Sequence, residues 1–430
     1  MKVVWLCTFS DEKLRKNLNF PKWSFGNILR RLFHKPITDD YGIWNANARN
    51  EFEHFTNEVE LHIISPHSGI SHLHEFRQNG IYYHIFWKES DILKEFVKRK
   101  LNKCDSRSFS SSRKLIKQII NNIQPDIIHV IGIENKFHSM AVLDVSKDIP
   151  VIAQLQTLIN DERFRLNTNV SKDEYAYNSF IESKIIQRAD FIGTQLKHFE
   201  KVIRETIKQD AIFVNTALIT SEPVSYEESN KEFDFVYFAL DIGKTLDLVL
   251  EAFALAYKVR PEIKLDIIGG CSLNYKKFVD EYLMKLGIED AVKLEGKLPT
   301  HEDVLRQIRK SRFALLPLKI DLISSTIREA MANGLPVLTT ITPDTPKLND
   351  NRECVMLSET GDHEALANNM LKILKDGEYA KKLAHNCRLT SSERHSNKEE
   401  AEHWKSVYEA CINYKKNGID IPQSMTKTYF

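Results

Sequence analysis

Two carboxylates flank a short run of hydroxyl residues: Asp321, then Ser324, Ser325 and Thr326, then Glu329. Hydroxyl residues at the start of a helix stand beside its unpaired N–H groups and positive dipole end, a setting that suits a phosphate. Carboxylates next to such a phosphate do not bind it. They accept hydrogen bonds from hydroxyl groups, such as those of a ribose and a second sugar. The same residues have a plainer reading: the Thr326-x-x-Glu329 spacing is that of a capping box, and Asp321 is a solvated loop acid. On this stretch alone both readings stand.

The elements that must position these groups are legible around them. Residues 313–318 are a continuous apolar run, as expected of a parallel strand covered on both faces. A polar loop over 319–325 follows, then a helix carrying Ala330, Met331 and Ala332. Gly334 falls where a left-handed C-terminal cap belongs, and Pro336 ends the helix ahead of a strand over 336–340.

The rest of the chain repeats this alternation, which predicts doubly wound, mostly parallel sheets. Strands are expected over 2–7, 59–65, 80–87, 126–131, 149–155 and 191–194, with helices between them except between 59–65 and 80–87. A polar segment over 215–231 reads as a linker, and a second alternation begins at the strand 233–238. Three parts are expected: 1–215 as an acceptor domain, 216–395 as a donor domain, and 396–430 as a crossover helix and tail, with Trp404 as a core anchor. In an open α/β sheet the ligand lies beyond the carboxyl ends of the strands. Gly132, Glu134, His138, Gln154, Gln156 and Thr157 all fall there.

Composition excludes several classes. A net charge of +1 gives no global reason to bind nucleic acid. The six cysteines lie far apart, with no Cys-x-x-Cys pair, so neither a disulfide scaffold nor a zinc site is expected. The N-terminus lacks a signal-peptide pattern and no apolar run is long enough to span a bilayer, so a cytoplasmic protein is expected. Two segments are basic with interleaved aromatic or apolar residues, 13–35 and the expected helix 91–103. They read either as solvated surface or as a peripheral contact with an anionic membrane face.

Over 233–389 the chain resembles the GT-B nucleotide-sugar glycosyltransferases of the retaining family 4 type. The resemblance rests on Asp321, seven residues, and then Glu329-Ala330-Met331-Ala332-Asn333-Gly334-Leu335-Pro336-Val337; on the apolar strand ending Gly269-Gly270; on the turn within 292–299; and on Lys244-Thr245-Leu246-Asp247 with Glu251-Ala252. It implies two Rossmann-like domains facing an interdomain cleft. It also implies Glu329 on the ribose, Asp321 on the donor sugar, and Lys297 and Leu298 at the base. Gly269 joins this donor-binding set, and Ser324, Ser325, Thr326 and Lys244 would hold the diphosphate. The function implied is retaining transfer of a sugar, with neither metal nor cofactor, onto a glycan or lipid-linked acceptor, as in bacterial surface polysaccharide synthesis.

Three departures stand out. Asp321 occupies a position where the family usually carries Glu. A gapless match puts Ala239 where a diphosphate-binding arginine is usual, and Arg328 is the candidate to replace it, unless it is an exposed helix arginine. Gln156 stands where many members have His; with Glu134 and His138 it forms the expected acceptor side, although His138 has an equal structural reading. Two rival functions remain: a GT-B-shaped binding protein that has lost transfer, and a nucleotide-sugar hydrolase or epimerase.

Overall fold

The computed structural model describes residues 1–21, 27–28, 40–88, 91, 95, 98, 108–168, 170–220, 231–241, 245–319, 323–394 and 396–426. Contacts divide the chain into two compact units. Unit 1 comprises Met1–Ile219 with Asn397–Tyr429, and unit 2 comprises Thr220–Ser396 with Phe430.

Unit 1 is built on a sheet in the order β3-β4-β2-β1-β5-β6-β7-β8. Its strands are β1 (Lys2–Leu6), β2 (Glu60–His67), β3 (His74–Gln78), β4 (Ile81–Trp87), β5 (Ile127–Ile131), β6 (Val151–Gln154), β7 (Phe191–Gly193) and β8 (Ile212–Val214). All pairings are parallel except β3 with β4. That hairpin turns through Asn79 and Gly80, with φ of 50° and 83°. The pair supplies the two positive φ angles that a two-residue turn needs to match strand twist.

The central strands are apolar because helices cover both faces. All five residues of β5 are buried, His129 among them. His129 keeps its place because the Tyr408 hydroxyl accepts from Trp5 Nε1 (3.0 Å) and meets His129 Nδ1 at 2.7 Å. Trp404, 1% exposed, packs edge-on against Trp5 and donates from Nε1 to the Ala217 carbonyl at 3.0 Å. The helix Asn397–Asn417 is thereby fastened into the core of unit 1.

Unit 2 has a wholly parallel sheet in the order β11-β10-β9-β12-β13-β14. Its strands are β9 (Phe233–Asp241), β10 (Leu265–Gly270), β11 (Val292–Gly296), β12 (Ser311–Leu315), β13 (Val337–Thr340) and β14 (Val355–Ser358). The helix Ser325–Ala332 crosses from β12 to β13. It ends in a Schellman motif: Gly334 N–H donates to the Met331 carbonyl and Leu335 N–H to that of Ala330, both at 2.9 Å, with Gly334 at φ 69°. The left-handed backbone of Gly334 is what requires Gly there; a Cβ would also lie 2.6 Å from Arg388 Nη1, so the arginine would have to shift.

Among the described residues no helix is long and apolar enough to cross a membrane. The basic segments singled out in the sequence fall mostly outside the described residues, at 22–26, 29–39, 92–94, 96–97 and 99–107.

Candidate functional site

In unit 2 three elements converge at the carboxyl edge of the sheet. The first is the end of β10. Gly269 has φ 145°, a backbone region in which a side chain is strained, and the pairing of β10 with β9 shifts register there. The second is the turn after β11. Gly296 takes φ 73°, Lys297 is exposed, Leu298 is half-buried against the core, and Thr300 then caps the helix His301–Ile308 through a capping box with Asp303.

The third is the passage from β12 to the helix Ser325–Ala332. Pro317 lacks an N–H, and β13 holds this stretch by side chains instead. Thr340 Oγ1 accepts from Leu318 N–H and donates to the Leu318 carbonyl, each at 2.7 Å, and Thr339 Oγ1 donates to the Leu316 carbonyl at 2.7 Å.

The helix begins two residues earlier than its Thr-x-x-Glu spacing suggests. Ser324 is the N-cap and accepts from Ile327 N–H at 3.4 Å, while its hydroxyl meets Thr326 Oγ1 at 2.7 Å. Glu329 is therefore not a capping residue. It lies a full turn into the helix, 7% exposed, and burial raises its carboxyl from 4.5 to about 8. His301 Nε2 stands 3.5 Å from Glu329 Oε1, so the turn after β11 and the helix face one another. Arg328 is likewise 7% exposed, which removes the reading of it as an exposed helix arginine. Lys244 and Asp321 lie outside the described residues. Just before Asp321, Lys319 is paired with Asp247 at 3.0 Å.

In unit 1 the structure brings Glu134 and Gln156 together at the ends of β5 and β6. With the Gln156 amide oriented to satisfy both its ends, its nitrogen donates to Glu134 Oε1 at 3.0 Å and its oxygen accepts from Trp44 Nε1 at 2.9 Å. Gly132, at φ 83°, lies directly beneath: a Cβ there would be 2.8 Å from Glu134 Oε1. Burial raises the Glu134 carboxyl to about 7, aided by the nearby Glu182.

Glu182, 2% exposed, accepts from the backbone N–H groups of Ile159 and Asn160, both at 2.8 Å, and so shapes the loop after Gln156. His138 is set apart. It is 1% exposed, its Nδ1 lies 3.0 Å from Thr8 Oγ1, and burial lowers its pKa to about 4. Thr8 Oγ1 also accepts from Asn135 at 2.8 Å, so its proton points to His138, whose ring ties the loop after β1 to that after β5.

Trp44, His301, Glu182 and Thr340 were not singled out by sequence reasoning. Only His301 had a local signal, the Thr300-x-x-Asp303 cap that fixes it as the first helical residue.

The ends of β10, β11 and β12, with the helix after β12, all fall within one stretch that matches a known family. Residues 221–390 match the family Glycosyl transferases group 1. The matched stretch covers almost the whole of unit 2. A curated relative, N-acetyl-alpha-D-glucosaminyl L-malate synthase of Bacillus anthracis, is 24% identical over 307 residues, covering 70% of either chain.

Among solved structures, sucrose-phosphate synthase of Thermosynechococcus elongatus superposes with a TM-score of 0.70 at 13% identity, over 95% of this chain and 98% of that one. HepE of Anabaena, solved with UDP and glucose, superposes at 0.62 with 13% identity, over 95% and 100%. The fold is GT-B, with unit 1 as its first Rossmann-like unit and unit 2, which holds the matched stretch, as its second.

Proposed function

We propose that this chain is a retaining, metal-independent glycosyltransferase that moves a sugar from a nucleoside-diphosphate donor, held by unit 2, to a hydroxyl group of a glycan or lipid-linked acceptor, held by unit 1. The observation that carries the reading is Glu329, a buried carboxyl one turn into a helix whose N-terminal residues are Ser324, Ser325 and Thr326, facing the turn after β11.

The roles follow from chemistry. Glu329 takes the ribose hydroxyls, and the turn at Lys297 and Leu298 meets the base, with Gly269 leaving room at the end of β10. The helix N-terminus and Lys244 hold the diphosphate, and Asp321 contacts the donor sugar. As the diphosphate leaves it gains negative charge, and aligned N–H groups with a lysine lower the energy of that state without a metal. In front-face attack the leaving phosphate takes the acceptor's proton, so no side-chain nucleophile is required. The group 1 match supports transfer from a nucleotide sugar, and a structural neighbour solved with UDP and glucose makes a uridine nucleotide the first donor to test.

Thermal melting with UDP, GDP, ADP and their sugars tests the donor side, because a ligand stabilises by the logarithm of its excess over Kd. One nucleotide is expected to raise Tm by several degrees, and Glu329→Ala to abolish the shift. A chain that no nucleotide stabilises is not a transferase of this kind. Product NMR decides retention, and unchanged turnover in EDTA decides the metal question. For a lipid-linked acceptor, the basic segment 13–35 meets an anionic bilayer; sedimentation with phosphatidylglycerol rather than phosphatidylcholine vesicles tests that contact.

A further inference from the structure

The donor chemistry leaves unused a line of three side chains in unit 1. Trp44 Nε1 donates to the Gln156 oxygen, and the Gln156 nitrogen donates to Glu134 Oε1. Its direction is fixed from one end, because an indole can only donate. Glu134 is thus held by a neutral donor. Its other oxygen, Oε2, is buried with no hydrogen-bond partner among the described residues, although the residue as a whole is only partly buried.

A buried carboxyl oxygen without a partner is costly, so a ligand that supplies one gains from it. Gly132 leaves no room for a side chain beneath the carboxyl, and the loop after β6 is pinned by a second buried acid, Glu182. Lys136 is the basic neighbour that partly offsets both acids, and its ammonium group sits over the Tyr177 ring at 5.7 Å.

An acceptor hydroxyl can donate to Glu134 when it is ionised and accept from it when it is protonated. A carboxylate or phosphate can do neither for an ionised Glu134, and two acids at one point repel. We propose that Glu134 contacts the acceptor, that Trp44 positions it through Gln156, and that this centre selects an uncharged, hydroxyl-bearing acceptor, a sugar or polyol, over an anionic one. The inference rests on the transferase reading, with unit 1 as the acceptor side.

The test uses the full chain and the UDP-sugar it turns over, with UDP release measured against methyl glucoside, methyl N-acetylglucosaminide, glycerol, methyl glucuronide and L-malate. Methyl glucoside and methyl glucuronide differ only at C6, a neutral hydroxymethyl in one and a carboxylate in the other. The wild type is expected to favour the neutral member by about tenfold or more in kcat/KM, a difference that one unfavourable charge contact readily supplies.

Glu134→Gln keeps the shape and is expected to shrink that preference by about fivefold, while Trp44→Phe raises acceptor KM by about threefold with kcat less affected, as loss of a positioning hydrogen bond does. UDP affinity should be unchanged in both variants, which also reports that they fold. Preference for glucuronide or malate, an unchanged ratio in Glu134→Gln, or no stimulation by any neutral compound overturns the proposal. With normal UDP binding such a result removes only the acceptor rule; without UDP binding the transferase reading falls as well.

Discussion

His301 Nε2 lies 3.5 Å from Glu329 Oε1, and the two residues come from different helices of unit 2. The imidazole sits at the first turn of one helix and the carboxyl in the middle of the next, so their approach sets the distance between the turn after β11 and the helix after β12. His301→Ala is expected to weaken UDP binding about three- to tenfold, with His301→Gln recovering part of it, since loss of a polar neighbour of a buried carboxyl costs about 1–2 kcal/mol. Calorimetry on the single variants and on the His301→Ala, Glu329→Ala double variant checks the coupling: the second substitution should add little to the first.

Glu329 also makes folding of the ligand-free chain pH-dependent. Its folded-state pKa of about 8 lies above the ordinary 4.5. A raised carboxyl favours the folded state only while protonated, so its contribution is complete below pH 4.5 and is lost as pH rises to 8. Glu329→Gln is therefore expected to match wild type near the lower of these pH values and to be more stable than wild type above the higher one. The upper bound on the difference is about 1.4 kcal/mol for each pH unit that separates the two pKa values. Urea unfolding at the two pH values reads it. An equal effect at both would mean that the carboxyl does not titrate with folding.

Thr340 substitutes for the backbone ladder that Pro317 interrupts. Thr340→Val keeps the shape but strands the buried N–H of Leu318, at a cost of about 1–3 kcal/mol. Thr340→Ser should retain most of the stability. Because this contact holds the start of the loop that leads to Ser324, nucleotide affinity is expected to fall with Thr340→Val and not with Thr340→Ser.

Trp404 is 1% exposed against Trp5, Phe52 and His129. Trp404→Ala should cost unit 1 about 3–5 kcal/mol. Hydrogen exchange locates the loss: protection should drop over 2–6 and 127–131, while 265–270 in unit 2 keeps its protection.

The parallel strands were legible because each is an apolar run with helical periodicity on either side, as with 127–131 and 313–315. The β3–β4 hairpin was overlooked although Asn79-Gly80 signals it, because β3 itself (His-Glu-Phe-Arg-Gln) is half-exposed and polar. The cap was misplaced by two residues because Ser324, Ser325 and Thr326 can all cap. The choice falls to Ser324, whose backbone is extended at φ −87°, ψ 155°, and spacing does not display a dihedral angle. Glu134 and Gln156 were found from their positions at strand ends. Trp44 was not, since it reaches them from a helix near the start of the chain, far from both in sequence. Nothing local marks such a partner.

Unit 1 is made from two separate stretches of the chain, and unit 2, apart from Phe430, from the continuous stretch between them. On a ribosome this sets an order of completion. Residues 1–219 emerge first, yet the face of Trp5, Phe52 and His129 that Trp404 and Tyr408 cover stays open until the helix Asn397–Asn417 is made. The core residues of unit 2, Phe235 to Cys387, are all synthesised before that helix. Unit 1 is thus begun before unit 2 and completed after it, and during synthesis the exposed tryptophan face is the surface a chaperone would have to shield.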